Sequence, residues 1–187
     1  IKEAVEAGYD AVLFDGSKLS LGENVNKTRE VVRYVKSKNK KILVEGEIGY
    51  IGGSSAILKE LPKGVALKPE DLTKPEEAAD FVKKTGVDLL APAVGNIHGI
   101  LVRQSSDGGF EPINPRLDIK RIEAIAKAVK IPMVLHGGSG TSDEDFVSAI
   151  RAGVGIIHIN TEIRVAWRRG LEEGLKKNPE EIAPYKI

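Results

Sequence analysis

The three histidines of this chain, together with several of its acids, lie where short apolar runs of the sequence end. The polar residues at these five run ends are Asp15, Glu45 with Glu47, His98, His136, and His158 with Asn160. Imidazole and carboxylate groups bind metal ions and carry protons. Because parallel strands that alternate with helices open their carboxyl ends on one side of a sheet, we expect these groups to meet there. The pattern therefore predicts a chemical site at one rim of a parallel sheet.

His98 and His136 are the strongest candidates for binding a metal ion, and a glycine follows each of them. A neutral imidazole is a good ligand for Zn²⁺, and a catalytic zinc site needs about three protein ligands and one open position. The chain has no cysteine, so any ion must be held by His, Asp, Glu or water. The alternative is that both are ordinary buried histidines held by hydrogen bonds. His158 is expected inside the last strand, either as a core residue or as a contact to a substrate.

Three acids, Asp15, Glu45 and Glu47, stand at the ends of the first two apolar runs. Each could hold a cation, carry a proton or order a neighbouring histidine. Residues two apart on a strand point to the same face, so Glu45 and Glu47 could act together. The competing interpretation is that these acids are rim charges that face solvent.

The sequence GGSG at residues 137–140 comes just before a helix that Ser142 and Asp145 are expected to cap. Successive backbone N–H groups in a glycine-rich turn, next to a helix N-terminus, form a phosphate-binding site. The turn follows the fourth of five predicted strands, and Asn160 and Thr161 close the fifth, which is where many α/β barrels bind phosphate. The alternative is a turn that only connects two elements.

The elements that must position these residues follow from apolar spacing and end signals. Helices are predicted over residues 1–7, 20–38, 73–85, 118–130, 142–152 and 162–177, with capping boxes at Ser20 with Glu23 and at Thr73 with Glu76. Strands are predicted over residues 11–14, 42–47, 88–94, 132–135 and 155–160. Two long loops intervene, at 49–73 and 103–116. Since loops of that length usually serve as lids or binding loops, the Gly- and Ser-rich segment 49–73 is predicted to be one.

Five repeats of strand, loop and helix indicate an α/β protein. Strands rich in Val, Ile and Leu on both faces are typical of a parallel sheet that is buried on both sides. Polar groups at nearly every strand end favour a TIM (β/α)8 barrel, here a partial barrel with about five parallel strands, over an open doubly wound sheet. Residues 1–187 are expected to form a single domain. Both ends look cut, which predicts a fragment of a longer barrel.

Composition excludes several classes of partner. The formal net charge is +1, and basic and acidic side chains are interleaved along the helices, which argues against nucleic acid. No apolar stretch approaches the roughly 20 residues of a membrane span, and no signal peptide is visible. We therefore expect a cytoplasmic protein that binds neither nucleic acid nor a membrane.

Five short motifs follow one another along the chain. They are DGS (15–17), VEGEIG (44–49) followed by GG (52–53), GNIHG (95–99), LHGGSG (135–140) and INTEIR (159–164). Together they resemble the class II, zinc-dependent fructose-bisphosphate aldolase family over nearly the whole chain. The resemblance implies a (β/α)8 barrel, usually a homodimer or larger homo-oligomer. Its reaction is the reversible cleavage of fructose 1,6-bisphosphate to dihydroxyacetone phosphate and glyceraldehyde 3-phosphate. It also implies that roughly three βα units precede Ile1, in line with the usual barrel length of ~250 residues.

The resemblance implies roles for individual residues. His98 and His136 correspond to two of the three zinc ligands. Asp15 and Glu47 correspond to residues that hold an alternative or second metal position, for a divalent or monovalent cation. The residues implied for binding the phosphorylated sugar substrate are Gly99, Gly137, Gly138 and Ser139 in the phosphate cradle, and His158, Asn160 and Thr161 in the substrate segment.

The chain departs from the family pattern in three places. The Asp-His pair that supplies the proton-transfer acid and the third zinc ligand is expected on a strand before Ile1. The mobile loop of the family carries an acid after its two glycines, where this chain has Ser54 and Ser55. The family segment Asn-x-Asp-Thr reads His-Ile-Asn-Thr at 158–161, which could shift preference among ketose bisphosphates, for example to tagatose bisphosphate.

Two other interpretations stay open from the sequence. One is a catalytically incomplete fragment that only binds a phosphate ligand. The other is a different phosphate-binding barrel, such as an isomerase, which two metal-type histidines disfavour.

Overall fold

A computed structural model describes residues 1–104, 110–113 and 115–186 of the chain. The helices are α1 (Lys2–Glu6), α2 (Leu21–Lys38), α3 (Pro75–Thr85), α4 (Ile119–Val129), α5 (Asp143–Ala152) and α6 (Thr161–Lys177), with a 3₁₀ turn at Pro184–Lys186. The strands are β1 (Ala11–Asp15), β2 (Leu43–Ile48), β3 (Ile57–Leu58), β4 (Leu89–Pro92), β5 (Ile100–Gln104), β6 (Phe110–Pro112), β7 (Met133–Leu135) and β8 (Val154–Ile157). Parts of the predicted loop at 103–116, namely 105–109 and 114, lie outside the described residues.

Five strands form one parallel sheet in the order β1-β2-β4-β7-β8. The register pairs Asp15 with Glu47, and Glu47 with Ala91 on the next strand. The carboxyl ends of these strands therefore open on the same side, and the polar run ends of the sequence are brought there. The prediction of an α/β fold with five parallel strands is confirmed.

The helices that build the main core cover one face of this sheet. Alternate strand residues pack on them; the cluster includes Val44, Ile48, Leu90, Met133 and Leu135 from strands, and Val32, Phe81, Ile122 and Ile125 from helices. The strand residues in between form a second small cluster of Leu89, Ala91 and Val134. A doubly wound sheet carries helices on both faces, whereas a barrel carries them on the outside. Within the described residues the arrangement is that of part of a barrel.

Glu45 and Glu47 point away from the helices. Their register partners on β4 are Leu89 and Ala91, which belong to the small cluster on the opposite face. In a barrel this face lines the interior, so both carboxylates point inward toward the open end of the strands.

The helix starts at Ser20 and Ser142 follow the sequence prediction. Ser20 and Glu23 form a reciprocal capping box at the start of α2, and the Ser142 hydroxyl accepts from the Asp145 N–H at the start of α5. These contacts are local in the chain, which explains why they can be predicted from spacing.

The capping box predicted at Thr73 is wrong. The helix α3 begins after Lys74 without a side-chain cap. The Thr73 hydroxyl instead donates to the Ile48 carbonyl (2.9 Å) and accepts from the Ala93 N–H (2.9 Å). Thr73 thus joins the ends of β2 and β4, because buried backbone groups beyond the sheet need partners more than an exposed helix end does.

A second, three-stranded sheet occupies regions that were predicted to be loops. β3 pairs with β5 in parallel, and β5 pairs with β6 in an antiparallel hairpin. β3 and β6 have two and three residues and are too short to show an alternating pattern. β5 has five residues, but it runs from an apolar stretch into the predicted loop and so shows no alternation either.

His158 lies after β8, not inside it, so that prediction is also wrong. β8 ends at Ile157. The His158 N–H donates to the Leu135 carbonyl (2.9 Å), and its own carbonyl accepts from the Gly138 N–H (3.1 Å). The backbone at His158 therefore leaves the strand to hold the glycine turn that follows β7.

The last helix, α6, is largely exposed. Its apolar side chains Ile163 and Trp167 are 62% and 70% exposed, and Thr161 at its start is buried. None of the helices in the described ranges, α6 included, has the length and apolarity needed to cross a membrane.

Candidate active site

His98 lies in the segment that follows β4, and one of its two ring nitrogens is held by a hydrogen bond. Its backbone N–H donates to the Ile51 carbonyl, and its ring Nδ1 lies 2.8 Å from the carbonyl oxygen of Gly52. Because a carbonyl can only accept, Nδ1 carries the proton and Nε2 keeps its lone pair. Burial is the main cause that lowers the pKa of His98. The neutral form, which binds metals, is therefore favoured.

His136 follows β7 directly and is buried between two carboxylates. Its Nε2 lies 2.6 Å from Glu45 Oε1, and its Nδ1 lies 3.6 Å from Glu47 Oε2. Burial alone would lower the pKa of His136, but the hydrogen bond to Glu45 and the charge of Glu47 outweigh it and raise the pKa. Glu45 and Glu47 lie on different sides of one ring, although they are neighbours on one face of β2.

The imidazoles of His98 and His136 are neighbours, with ring centroids 5.7 Å apart and ring planes tilted by 33°. Two imidazoles that bind one tetrahedral zinc ion through nitrogens at 2.0–2.1 Å have ring centres roughly 5 Å apart. The spacing therefore suits a shared divalent ion. The ring of His158 also lies close to that of His136, with ring centroids 4.7 Å apart. Burial lowers its pKa as well.

Glu47 is the one group in the described residues whose buried side-chain oxygens both lack a hydrogen-bond partner. The residue is 2% exposed. Burial, and then the charge of Asp15, raise the pKa of Glu47 to about 7. Buried carboxylate oxygens without a hydrogen-bond partner, beside an imidazole nitrogen, are suitable ligands for a cation, and a bound cation would supply the partner that these oxygens lack.

The described residues do not hold a complete ligand set. In the parts of the chain that the structure describes, no three His, Asp or Glu side chains form a cluster ready to hold an ion. Asp15 pairs with Glu47 in the sheet register, but its Oδ1 accepts hydrogen bonds from the backbone and hydroxyl of Ser17. The residues present fit a metal in donor type and spacing, with a further ligand required from elsewhere.

Glu47→Gln is expected to stabilise the metal-free chain at pH 8 by about 1–3 kcal/mol, because it removes an unpaired buried charge. The pKa of Glu47 is raised from 4.5 to about 7. Stability that depends on its protonated form is therefore present below pH 4.5 and is lost as the pH rises through 7. Urea unfolding at pH 5 and pH 8 measures this loss. Glu123→Gln, at an exposed position on α4, is the control, and equal pH dependence in Glu47→Gln and the unmodified chain would contradict the prediction.

A cavity of about 200 Å³ opens beside the two imidazoles. It is lined by Ser55, His98, Gly99, His136, Gly137, Ser139, His158, Asn160 and Thr161. The structure thus brings together both candidate ligands and most of the residues predicted to bind substrate. Gly138, Asp15 and Glu47 are not among the residues that line it.

The glycine turn after β7 is held in place by α6 and the residues before it. The Ser139 hydroxyl accepts from the N–H groups of Asn160 (3.3 Å) and Glu162 (3.2 Å), and the Gly138 N–H donates to His158. The turn and the first residues of α6 therefore form one unit beside the cavity. A helix N-terminus next to a glycine turn favours an anion.

Two functional neighbours were missed by the sequence analysis. Asn96 is buried, its Oδ1 accepts from the Val94 N–H, and its Nδ2 donates to the His136 carbonyl, so it ties the turn that carries His98 to His136. Arg164 of α6 donates from Nη1 to the Ser55 carbonyl (2.7 Å), which ties the segment 49–73 to α6. The available signals were the motif GNIHG, which contains Asn96, and the motif INTEIR, which ends at Arg164.

Comparison with known proteins places this arrangement in a family. The model of the family described as fructose-bisphosphate aldolase class-II matches residues 1–187. The chain is 37% identical to the sulfofructosephosphate aldolase of Alkalicoccus urumqiensis over 96% of its length, and 34% identical to the fructose-bisphosphate aldolase of Geobacillus stearothermophilus over 100%. These matches cover 56% and 58% of the two relatives, so the chain spans about half the length of the curated relatives it matches.

The solved structures agree with the sequence comparison. The crystal structure of the YdjI aldolase from Escherichia coli K12 superposes with a TM-score of 0.70 at 29% identity, covering 96% of this chain and 55% of that one. This likeness confirms the fold class as part of an α/β barrel.

Proposed function

Because the chain belongs to the class II fructose-bisphosphate aldolase family, we propose that it is the C-terminal portion of a (β/α)8 barrel that cleaves a ketose phosphate in a metal-dependent aldol reaction. The observation that carries the proposal is the neighbouring pair of imidazoles, His98 and His136, beside a cavity closed by a glycine turn. A ring pair spaced for one ion and an anion-binding turn are the two features such a reaction requires.

The proposed ion is Zn²⁺, which would be held by His98 and His136 through the ring nitrogens that their hydrogen bonds leave open, with a third ligand from a segment of the longer protein. When bound, it would supply Lewis acidity to the ketone oxygen of the substrate, where negative charge develops as the carbon–carbon bond breaks. Asp15 and Glu47 would hold a second divalent or monovalent cation, which is supported by the unpaired oxygens of Glu47.

The residues of this chain bind and orient the substrate. The backbone of the cradle at Gly99, Gly137 and Ser139 would face one phosphate, and the N-terminus of α6 lies beside it. The sugar would be contacted by His158, Asn160 and Thr161, because they line the same cavity as the two metal-ligand candidates. The Gly138 N–H donates to the His158 carbonyl, so the contribution of Gly138 would be to fix the conformation of the turn.

The proton-transfer acid is proposed to lie on the segment that completes the barrel. Ser54 and Ser55 stand in the loop that could otherwise supply a carboxylate, and Ser55 lines the cavity. A serine hydroxyl at this position can hydrogen-bond to the sugar but, with its high pKa, is a poor proton carrier at neutral pH.

The proposed substrate is fructose 1,6-bisphosphate, cleaved to dihydroxyacetone phosphate and glyceraldehyde 3-phosphate, with tagatose bisphosphate as the alternative. Support for a range of sugars comes from the relatives, one of which is named for sulfofructosephosphate and another for fructose bisphosphate. We propose a cytoplasmic homodimer or larger homo-oligomer, without nucleic acid or membrane as partner.

A second candidate function is a fragment that binds phosphate ligands without catalysis. It is favoured by one observation, the incomplete ligand set in the described residues. Zinc titration of the 187-residue chain separates the two. Weak binding agrees with a third ligand that lies elsewhere, whereas tight one-to-one binding would contradict that assignment.

The test of the main proposal uses the longer protein that carries this chain. Cleavage of ketose bisphosphates should be lost with EDTA and restored by Zn²⁺ or Co²⁺, as measured by coupled assay of the triose products. Cleavage that survives chelation and is trapped by borohydride would show a Schiff-base lysine instead and would end the proposal.

A further inference from the structure

The two candidate zinc ligands are held through opposite ring nitrogens. The Nδ1–H of His98 donates to the Gly52 carbonyl, which leaves Nε2 for an ion. In His136 it is Nε2 that lies against a partner, Glu45, at 2.6 Å. Only Nδ1 of His136 is then available, on the side of the ring where Glu47 lies.

Above its raised pKa, His136 is a neutral imidazole with a single N–H, and the two buried carboxylates of Glu45 and Glu47 compete for it. The side chain of Glu45 is 8% exposed and that of Glu47 is 3% exposed, so neither carboxylate can take a hydrogen bond from bulk water in place of the one from the imidazole. If the proton moved to Nδ1, it would point toward Oε2 of Glu47, one of the two unpaired oxygens, and would remove the lone pair that an ion needs. The carboxylate that accepts the N–H of His136 therefore decides whether this imidazole can bind a metal.

We infer that Glu45 is a positioning residue: its hydrogen bond keeps the proton of His136 on Nε2 and so presents Nδ1 to the ion. Glu45 is absent from the residues that line the cavity, and it acts through His136 rather than on substrate. The inference rests on the proposed metal site and adds a role for an acid to which the family resemblance gave none.

The geometry distinguishes Glu45 from Glu47 despite their equivalent places in the sequence. Both point inward from β2, but Glu45 makes a short hydrogen bond, whereas the 3.6 Å between Glu47 Oε2 and Nδ1 is too long for one. Nδ1 therefore makes no hydrogen bond to Glu47, and its lone pair is left for an ion. Outer carboxylates of this kind usually fix the tautomer of a metal-binding histidine.

The test compares Glu45→Met, which keeps the side-chain length but removes the acceptor, with Glu45→Gln, which keeps an acceptor oxygen. Long-range ¹H–¹⁵N spectra of the ¹⁵N-histidine-labelled, metal-free chain report the tautomer of His136. We expect Nε2–H in the unmodified chain and in Glu45→Gln, and Nδ1–H in Glu45→Met. The zinc dissociation constant, from competition with a chromogenic chelator, should rise about 10–100-fold in Glu45→Met and less in Glu45→Gln.

Glu123→Gln on the exposed side of α4 is the matched control and should leave both readouts unchanged. Circular dichroism and the thermal midpoint confirm the fold of each variant; should Glu45→Met not fold, Glu45→Ala is measured in the same way. A structural role alone would move the thermal midpoint without changing the tautomer.

Retention of Nε2–H together with a zinc dissociation constant within about twofold of the unmodified chain would overturn the inference. If instead the unmodified chain binds zinc without any shift in the His98 and His136 signals, the proposed metal site fails. The tautomer comparison in the metal-free chain still decides the role of Glu45 in that case.

Discussion

Replacing either His98 or His136 with alanine is expected to lower kcat/KM for ketose-bisphosphate cleavage roughly a thousandfold or more in the longer protein. A bound metal ion contributes several kcal/mol of transition-state stabilisation, and each ~1.4 kcal/mol is tenfold in rate. With only two candidate histidine ligands in the described residues, loss of one leaves a site that can hold an ion weakly at best. Steady-state kinetics and zinc content per chain, measured on the same samples, test this expectation.

His158→Ala is the matched control for the ligand variants. Its ring lies with its centroid 4.7 Å from that of His136 and lines the same cavity, but we assign it to substrate and not to the ion. It should therefore keep its zinc and change mainly KM, whereas the ligand variants should lose zinc and kcat together. Full zinc content in His98→Ala and His136→Ala, with cleavage reduced less than about tenfold, would show that these imidazoles are not ligands.

The chemistry of the site could be predicted because each group follows its own strand. His98 and His136 close apolar runs, and parallel topology brings such run ends to one rim regardless of their distance along the chain. The helix starts at Ser20 and Ser142 were predictable for a different reason, since the bonds that cap them span only three residues. Short-range patterns and one topological rule were sufficient for the fold class and for bringing the candidate residues to one rim of the sheet.

The roles of the acids could not be predicted from the sequence. Glu45 and Glu47 have the same type, the same strand face and nearly the same burial. They differ only in which nitrogen of His136 each approaches, and His136 lies 91 residues away from Glu45 along the chain. A difference of 1 Å in a long-range contact separates a hydrogen-bonded carboxylate from an unpaired one, and no local pattern encodes it.

Thr73 and His158 were placed wrongly for a related reason. The sequence around each residue favours a helix start or a strand, but both residues instead make hydrogen bonds to distant parts of the backbone. Thr73 bridges β2 and the end of β4, and His158 holds the turn after β7. Buried polar groups beyond a sheet must be satisfied, and tertiary partners override local propensity there. The errors thus cluster at the rim where the candidate site is built.

Gly137→Ala is expected to destabilise the chain by about 2–4 kcal/mol. Gly137 has φ +62°, a conformation that L side chains rarely adopt. A Cβ there would also run into the backbone carbonyl of Ile97 and lie 3.1 Å from the backbone nitrogen of His98. These are backbone atoms, which cannot rotate aside as a side chain can, so the turn or the segment that carries His98 must move.

The same substitution should weaken zinc binding, because the turn after His136 and the backbone before His98 are in direct contact at this glycine. Gly170→Ala is the matched control: Gly170 lies in α6, where an added Cβ meets nothing within 4 Å, and the change should stabilise the chain by about 0.5–1 kcal/mol. Urea unfolding gives the stability of both variants, and chelator competition gives their zinc affinity. An unfolding free energy of Gly137→Ala within about 0.5 kcal/mol of the unmodified chain would mean that the two ligand-bearing segments do not meet as closely as this glycine requires.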